Sequence, residues 1–178
     1  IKLEAGQFQT RRLLGMFDII HSDQHQAYIA SEYQSTDGPF DSPQHFNRYN
    51  IMAKYTTRIQ TNDRVSILAS HFSSRWDASG QIPQRAVDDG SISRFGAIDD
   101  TEGGQTSRSN LLLSYDRRQG ERTFFKHALY YSRYDFDLFS NFTFFLHDPI
   151  NGDQIRQTEN RQILGWNSSA EHSFACGP

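Results

Sequence analysis

The chain has 178 residues, of which 36% are hydrophobic and 13% aromatic, and it carries a formal net charge of −3. Its 18 basic and 21 acidic residues leave no electrostatic footprint for nucleic acid, and a single cysteine, Cys176, excludes an intrachain disulfide and a cysteine-rich zinc site. No run of ~18 apolar residues occurs, which excludes a transmembrane helix but not spanning strands, since those need only ~9–11 residues.

Apolar residues are spread thinly along the chain, largely in alternation with polar ones. Alternation at period two marks strands with one dry and one wet face. The first segment, residues 1 to 9, sets Ile1, Leu3 and Ala5 on one parity. Arg11 to Ile20 is a second, less regular strand, followed by the short polar turn HSDQH at 21 to 25. A longer connection spans about residues 36 to 46. From Tyr49 to Gln60 the pattern is nearly perfect, with Tyr49, Ile51, Ala53, Tyr55, Thr57 and Ile59 opposed to Asn50, Met52, Lys54, Thr56, Arg58 and Gln60. A helix would scatter these two sets around its circumference.

The turn TND at 61 to 63 leads into Arg64 to Phe72, and a long loop then runs over about residues 75 to 107. Ser109 to Arg117 is expected to point Leu111, Leu113 and Tyr115 outward. After the turn RRQGE at 117 to 121, Ala128 to Leu138 separates an uncharged even set from an odd set holding Arg133, Asp135 and Asp137. A charge facing lipid at mid-membrane costs up to several kcal/mol, so these three residues are expected to face a polar lumen. A third long loop covers about residues 140 to 157, with Phe139, Phe142, Phe144 and Phe145 at the top of the strand beside it, and Leu164, Trp166, Ala170 and Phe174 share the last parity. Short turns and long loops therefore alternate along about eight antiparallel strands, as they do in outer-membrane barrels with short periplasmic turns and longer outer loops.

Three stretches resemble the TonB-dependent outer-membrane receptors: YQSTDGPFDSPQHFNRYN at 33 to 50, SSRWDASGQIPQRAVDDGSISRFGAIDDTEGGQTSRSNL at 73 to 111, and YYSRYDFDLFSNFTFFLHDPINGDQIRQTENR at 130 to 161. The resemblance implies an all-β fold in which residues 1–178 are part of an antiparallel transmembrane barrel of about 22 strands. It also implies a plug domain and further strands outside this sequence, location in the bacterial outer membrane and contact with its lipid. The activity it implies is uptake of a scarce small ligand, such as a siderophore, cobalamin or a carbohydrate, with TonB engaged through the plug. Two other readings fit the strand pattern: a small closed eight-strand barrel with a structural or adhesion role, and a soluble carbohydrate-binding or hydrolytic β-domain.

The candidate chemistry is that of recognition. Arg75, Trp76, Arg85, Arg94, Phe95 and Arg108 combine guanidinium forks with aromatic faces, suited to anionic or chelate ligands and to sugars. Trp76 also suits an interfacial aromatic girdle. The carboxylates Asp88, Asp89, Asp99, Asp100 and Glu102 could supply an acid pair for glycoside hydrolysis, but they read first as a solvated outer loop. His21 and His25 flank a turn and not a helix, so their spacing makes no zinc motif, and no G-x-S-x-G nucleophile turn occurs. No enzyme activity, metal or cofactor is expected.

Overall fold

Alternating sequence becomes alternating faces only if strands pair in phase, and pairing is what the computed structural model supplies. It describes residues 1–143, 145–150 and 152–174. Phe144 and Cys176, both noted in the sequence, lie outside the described residues. Eight antiparallel strands form one meander sheet in chain order. They are β1 (Lys2–Ala5), β2 (Arg11–His21), β3 (His25–Thr36), β4 (Phe46–Gln60), β5 (Asp63–Asp77), β6 (Gly103–Gln119), β7 (Thr123–Ser140) and β8 (Ile155–His172). The one described helix, α1 (Gln84–Asp88), is a single turn in the connection between β5 and β6. β1 pairs only with β2 and β8 only with β7, so the sheet is not closed.

Connections at one end of the sheet are short, at 22–24, 61–62 and 120–122. Those at the other end are longer, at 37–45, 78–102 and 141–154, with the tighter 6–10 beside them. The sequence placed both kinds correctly but set the loop margins too wide. Arg75 and Trp76 belong to β5 and Arg108 to β6, because these strands run 15 and 17 residues and reach well into the expected loop.

The register fixes which residues share a face. Leu111 of β6 stands opposite Tyr131 of β7, and Leu113 opposite Leu129. Leu111, Leu113 and Tyr115 therefore share a face with Arg133, Asp135 and Asp137, not with the even residues from Ala128 to Leu138. The expectations that both Leu111 and the even β7 set point outward exclude one another, and this is a correction to the sequence reading. Odd residues pair with odd from β3 through β7, so the phase is inherited strand to strand.

Two consecutive rows on the Leu111 face are wholly apolar. One runs Leu164, Tyr131, Leu111, Ala69, Ala53, Ile29, Phe17 from β8 to β2. The next, toward the short turns, runs Trp166, Leu129, Leu113, Ile67, Tyr55, Ala27, Ile20. Toward the long loops the same face turns polar on β6 to β8, with Ser107, Asp135 and Asn160 in one row, while on β1 to β4 that row still reads Leu3, Leu13, Tyr33, Tyr49. The row between this one and the apolar pair reads Gln162, Arg133, Ser109, His71, Ile51, Ser31, Gly15 from β8 to β2, polar on β5 to β8 and uncharged on β2 to β4, so the boundary of the charged residues climbs obliquely across the rows. A planar apolar slab crossing tilted strands would cut them in this way.

The opposite, Leu112, face carries the polar partners. Arg12 bridges Glu4 (2.6 Å) and Glu32 (3.0 Å), and Arg48 bridges Glu32 (2.7 Å) and Gln34 (2.8 Å), so one ladder ties β1 to β4. Ser132 donates to Asn110 Oδ1 (2.8 Å) and Asn110 Nδ2 to Ser70 (3.1 Å), extending the network over β5 to β7. Leu68, Leu112 and Met52 are interspersed, so this face is mixed and not charged throughout.

Candidate functional site at the long-loop end

The six candidate residues divide among three places. Arg75 and Trp76 are neighbours in a strand and so point to opposite faces. Arg75 lies on the Leu111 face, in a surface cleft of about 480 Å³ with Gln105, Asp135, Asp137 and Arg156. In that cleft Arg156 grips Asp137 with two bonds of 2.7 and 2.8 Å, and Arg133 holds Asp135 at 3.0 Å. The three residues expected in a lumen are therefore engaged in exposed ion pairs beyond the end of the apolar band.

Trp76 and Arg108 lie on the Leu112 face, in a group of aromatic and cationic side chains. Trp76 stands opposite Gly104. The Arg108 guanidinium sits 4.7 Å above the Tyr134 ring, and Tyr134 stacks on Phe136 at 6.2 Å between centroids. Phe72 and Arg161 flank Arg108 and Tyr134 in the same cross-strand row. Tyr134, Phe136 and Arg161 were not among the residues chosen from sequence. The signal for them was parity with Arg108, which becomes usable only once β6 and β7 are in register.

Arg85, Arg94 and Phe95 belong to the long loop itself. Arg85 is exposed on α1 and Arg94 is exposed beside Phe95. Phe95 meets Phe40 edge-on with centroids 6.4 Å apart, its carbonyl accepts the Asp41 N–H at 2.9 Å, and Ser93 bonds the Asp41 carboxylate. The 78–102 loop is thereby stapled to the 37–45 loop. On its other flank Asn141 Nδ2 donates to Asp99 at 3.0 Å, and Gln154 donates to Thr101 at 2.9 Å. Three loops separated in sequence form one connected roof.

The carboxylates of this roof sit in contrasting settings. Asp99 is partly buried, which disfavours its charge, yet bonds from Thr101 and Asn141 outweigh that cost and hold it below the ordinary range. Burial pushes Glu102 up, and the neighbouring Asp99 adds to the shift against one opposing backbone bond from Asn141. Among the described residues no group of three or more His, Cys, Asp and Glu side chains is arranged to hold a metal ion. His25 is engaged by its strand neighbours, with Nδ1 2.8 Å from Tyr55 Oη and 3.0 Å from Thr57 Oγ1. The arrangement offers rings and guanidinium groups to a ligand entering from the loop end.

Comparisons of the chain with protein-family models, with curated proteins and with solved structures return no match.

Proposed function

We propose that this sheet is part of the wall of an outer-membrane barrel, and that the barrel is a TonB-dependent receptor taking up a small ligand without catalysing a reaction. The Leu111 face would meet lipid and the Leu112 face would line the lumen, with the long loops outside the cell. The observation that carries this reading is the apolar band with its oblique charged boundary on one face, set against ion pairs, amides and hydroxyls on the other. Under it Arg133, Asp135 and Asp137 face outward above the hydrocarbon and not into a lumen. The plug and TonB enter from the family resemblance, and nucleic acid has no part.

Two tryptophans give a direct test. Trp166 lies in the band and is 70% exposed in the isolated sheet, while Trp76 is half-buried at the loop end of the other face. In vesicles, lipids brominated in the acyl chain are expected to quench Trp166 in a Trp76→Phe variant and to leave Trp76 largely unquenched in a Trp166→Phe variant. Equal or absent quenching would favour the soluble β-domain. The sheet's unpaired outer strands do not favour the small closed barrel.

Ligand recognition has its own test in the intact receptor. Arg108→Ala is expected to weaken ligand binding at the cell surface by roughly tenfold or more, since bonds to a charged group contribute about 1.5–3 kcal/mol. Arg75→Ala, on the lipid-side face, should leave it unchanged. The reverse ranking would place the ligand on the other face.

A further inference from the structure

On the Leu111 face the side chains of β4 to β6 change character in a fixed order from the long-loop end downward. β5 presents Arg75, Ser73, His71, Ala69 and Ile67, and β6 beside it presents Gln105, Ser107, Ser109, Leu111 and Leu113. β4 presents Asn47, Tyr49, Ile51, Ala53 and Tyr55, so its apolar part starts one row higher. A cation and amides come first, hydroxyls and an imidazole next, and apolar rows last. The cation end is also concave, since Asn47, Arg75 and Gln105 share the cleft of about 480 Å³ with Asp135, Asp137 and Arg156. Its carboxylates are engaged: Asp135 by Arg133, Asp137 by Arg156, and Glu159, at the margin, by Arg161. Among the described residues Arg75 has no ion pair with any carboxylate. The paired charges cancel and leave one uncommitted guanidinium, flanked across the strands by Asn47 and Gln105.

We propose that this cleft seats the phosphate of an anionic lipid headgroup, whose acyl chains lie on the apolar rows beneath. The proposal rests on the Leu111 face being the lipid-facing one. A guanidinium fork matches two phosphate oxygens with parallel bonds, and the Gln105 amide can donate to a third. The depth agrees. Asn47 stands four residues from Ile51, which is ~14 Å along a strand and roughly 10 Å along the membrane normal at a tilt of ~40°. The headgroup layer is ~5–7 Å thick, and an arginine stem lying along the sheet closes the difference. A free anion would draw nothing from the apolar rows that continue the same face, whereas a lipid uses both.

The test is photocrosslinking of the intact receptor in vesicles equimolar in phosphatidate and phosphatidylcholine, with the captured lipid identified by mass spectrometry. A benzophenone side chain in place of Ser107, one row below Gln105, is expected to capture phosphatidate roughly fivefold over phosphatidylcholine, the gain of one basic residue at an anionic surface. The same group in place of Leu113 should capture both lipids without preference. Arg75→Gln should bring the preference at position 107 close to unity, Arg75→Lys should keep most of it, and salt at about 1 M should shrink it without any change at Arg75. Equal capture of the two lipids at position 107, with lipid still captured at position 113, overturns the headgroup site and leaves the lipid-facing reading standing. No lipid at either position overturns both. A preference that survives Arg75→Gln, or that ignores salt, overturns the site as well. So does its loss on adding millimolar inorganic phosphate at matched salt, which would make the cleft a site for a free anion.

Discussion

Leu113→Arg is expected to block membrane insertion of the sheet, while Leu112→Arg, one residue earlier, is tolerated. The two side chains point to opposite faces of β6. Leu113 lies in an apolar row between Ile67 and Leu129 and is 41% exposed with no protein covering it. Against hydrocarbon an Arg at mid-depth costs about 2–4 kcal/mol in a barrel wall, so insertion should fall by roughly 30- to 1000-fold at equilibrium. Leu112 stands between Leu68 and Tyr130, with Ser70, Asn110 and Ser132 in the next row of the same face, where water, hydroxyls and amides can receive a guanidinium. Heat-modifiable migration after insertion into vesicles reads the difference. Should Leu112→Arg be the disruptive change, the two faces are inverted and the even β7 residues face lipid after all.

That comparison turns on what the sequence could and could not convey. Strand existence was legible because Tyr49 to Gln60 or Ala128 to Leu138 separates two chemical sets at period two. Phase between strands was not. The 120–122 turn decides which parity of β7 meets Leu111 in an otherwise unbroken register, and the alternation within either strand alone does not carry that choice. On the reading proposed above, Arg133, Asp135 and Asp137 face outward for a different reason. A charged parity was read as one uniform face, but β7 has 18 residues, more than the ~9–11 needed to span a bilayer. One face of such a strand can be apolar at Leu129 and Tyr131 and ionic a turn of pleat later. The candidate recognition residues stand out in the sequence singly and not as a group. Arg75 and Trp76 are adjacent in sequence and divided by the sheet, whereas Arg108 and Tyr134 are far apart and brought together by it. Contacts such as Asp99 with Asn141 link loops 42 residues apart and leave no periodicity to detect.

Gly104→Val is expected to unpair the loop end of β5, β6 and β7. Gly104 sits between Trp76 and Leu138 in the cross-strand row, at the rim where the strands hand over to the loop roof. A Cβ built there would lie 2.6 Å from the Asp137 carbonyl oxygen, 3.0 Å from Trp76 Cζ2 and 3.3 Å from the Leu138 Cα. Two of these three neighbours are backbone atoms, so no rotamer change relieves the overlap and the strands themselves must part. Overpacking of this kind costs about 1–3 kcal/mol, occasionally more, and a branched side chain at a backbone clash belongs at the upper end. Gly104→Ala should fall between, and Gly6→Ala, whose added Cβ would meet Thr10 at an ordinary 3.5 Å, should be near neutral. Denaturant midpoints in detergent give the stability change, and hydrogen exchange at the amides of residues 103–108 locates it. Displacement of Trp76 should shift its emission in a Trp166→Phe background. An unchanged midpoint, with Trp76 emission and exchange at this end as in wild type, would mean that the added side chain is accommodated without parting the strands and that close packing at Gly104 does not hold the rim together.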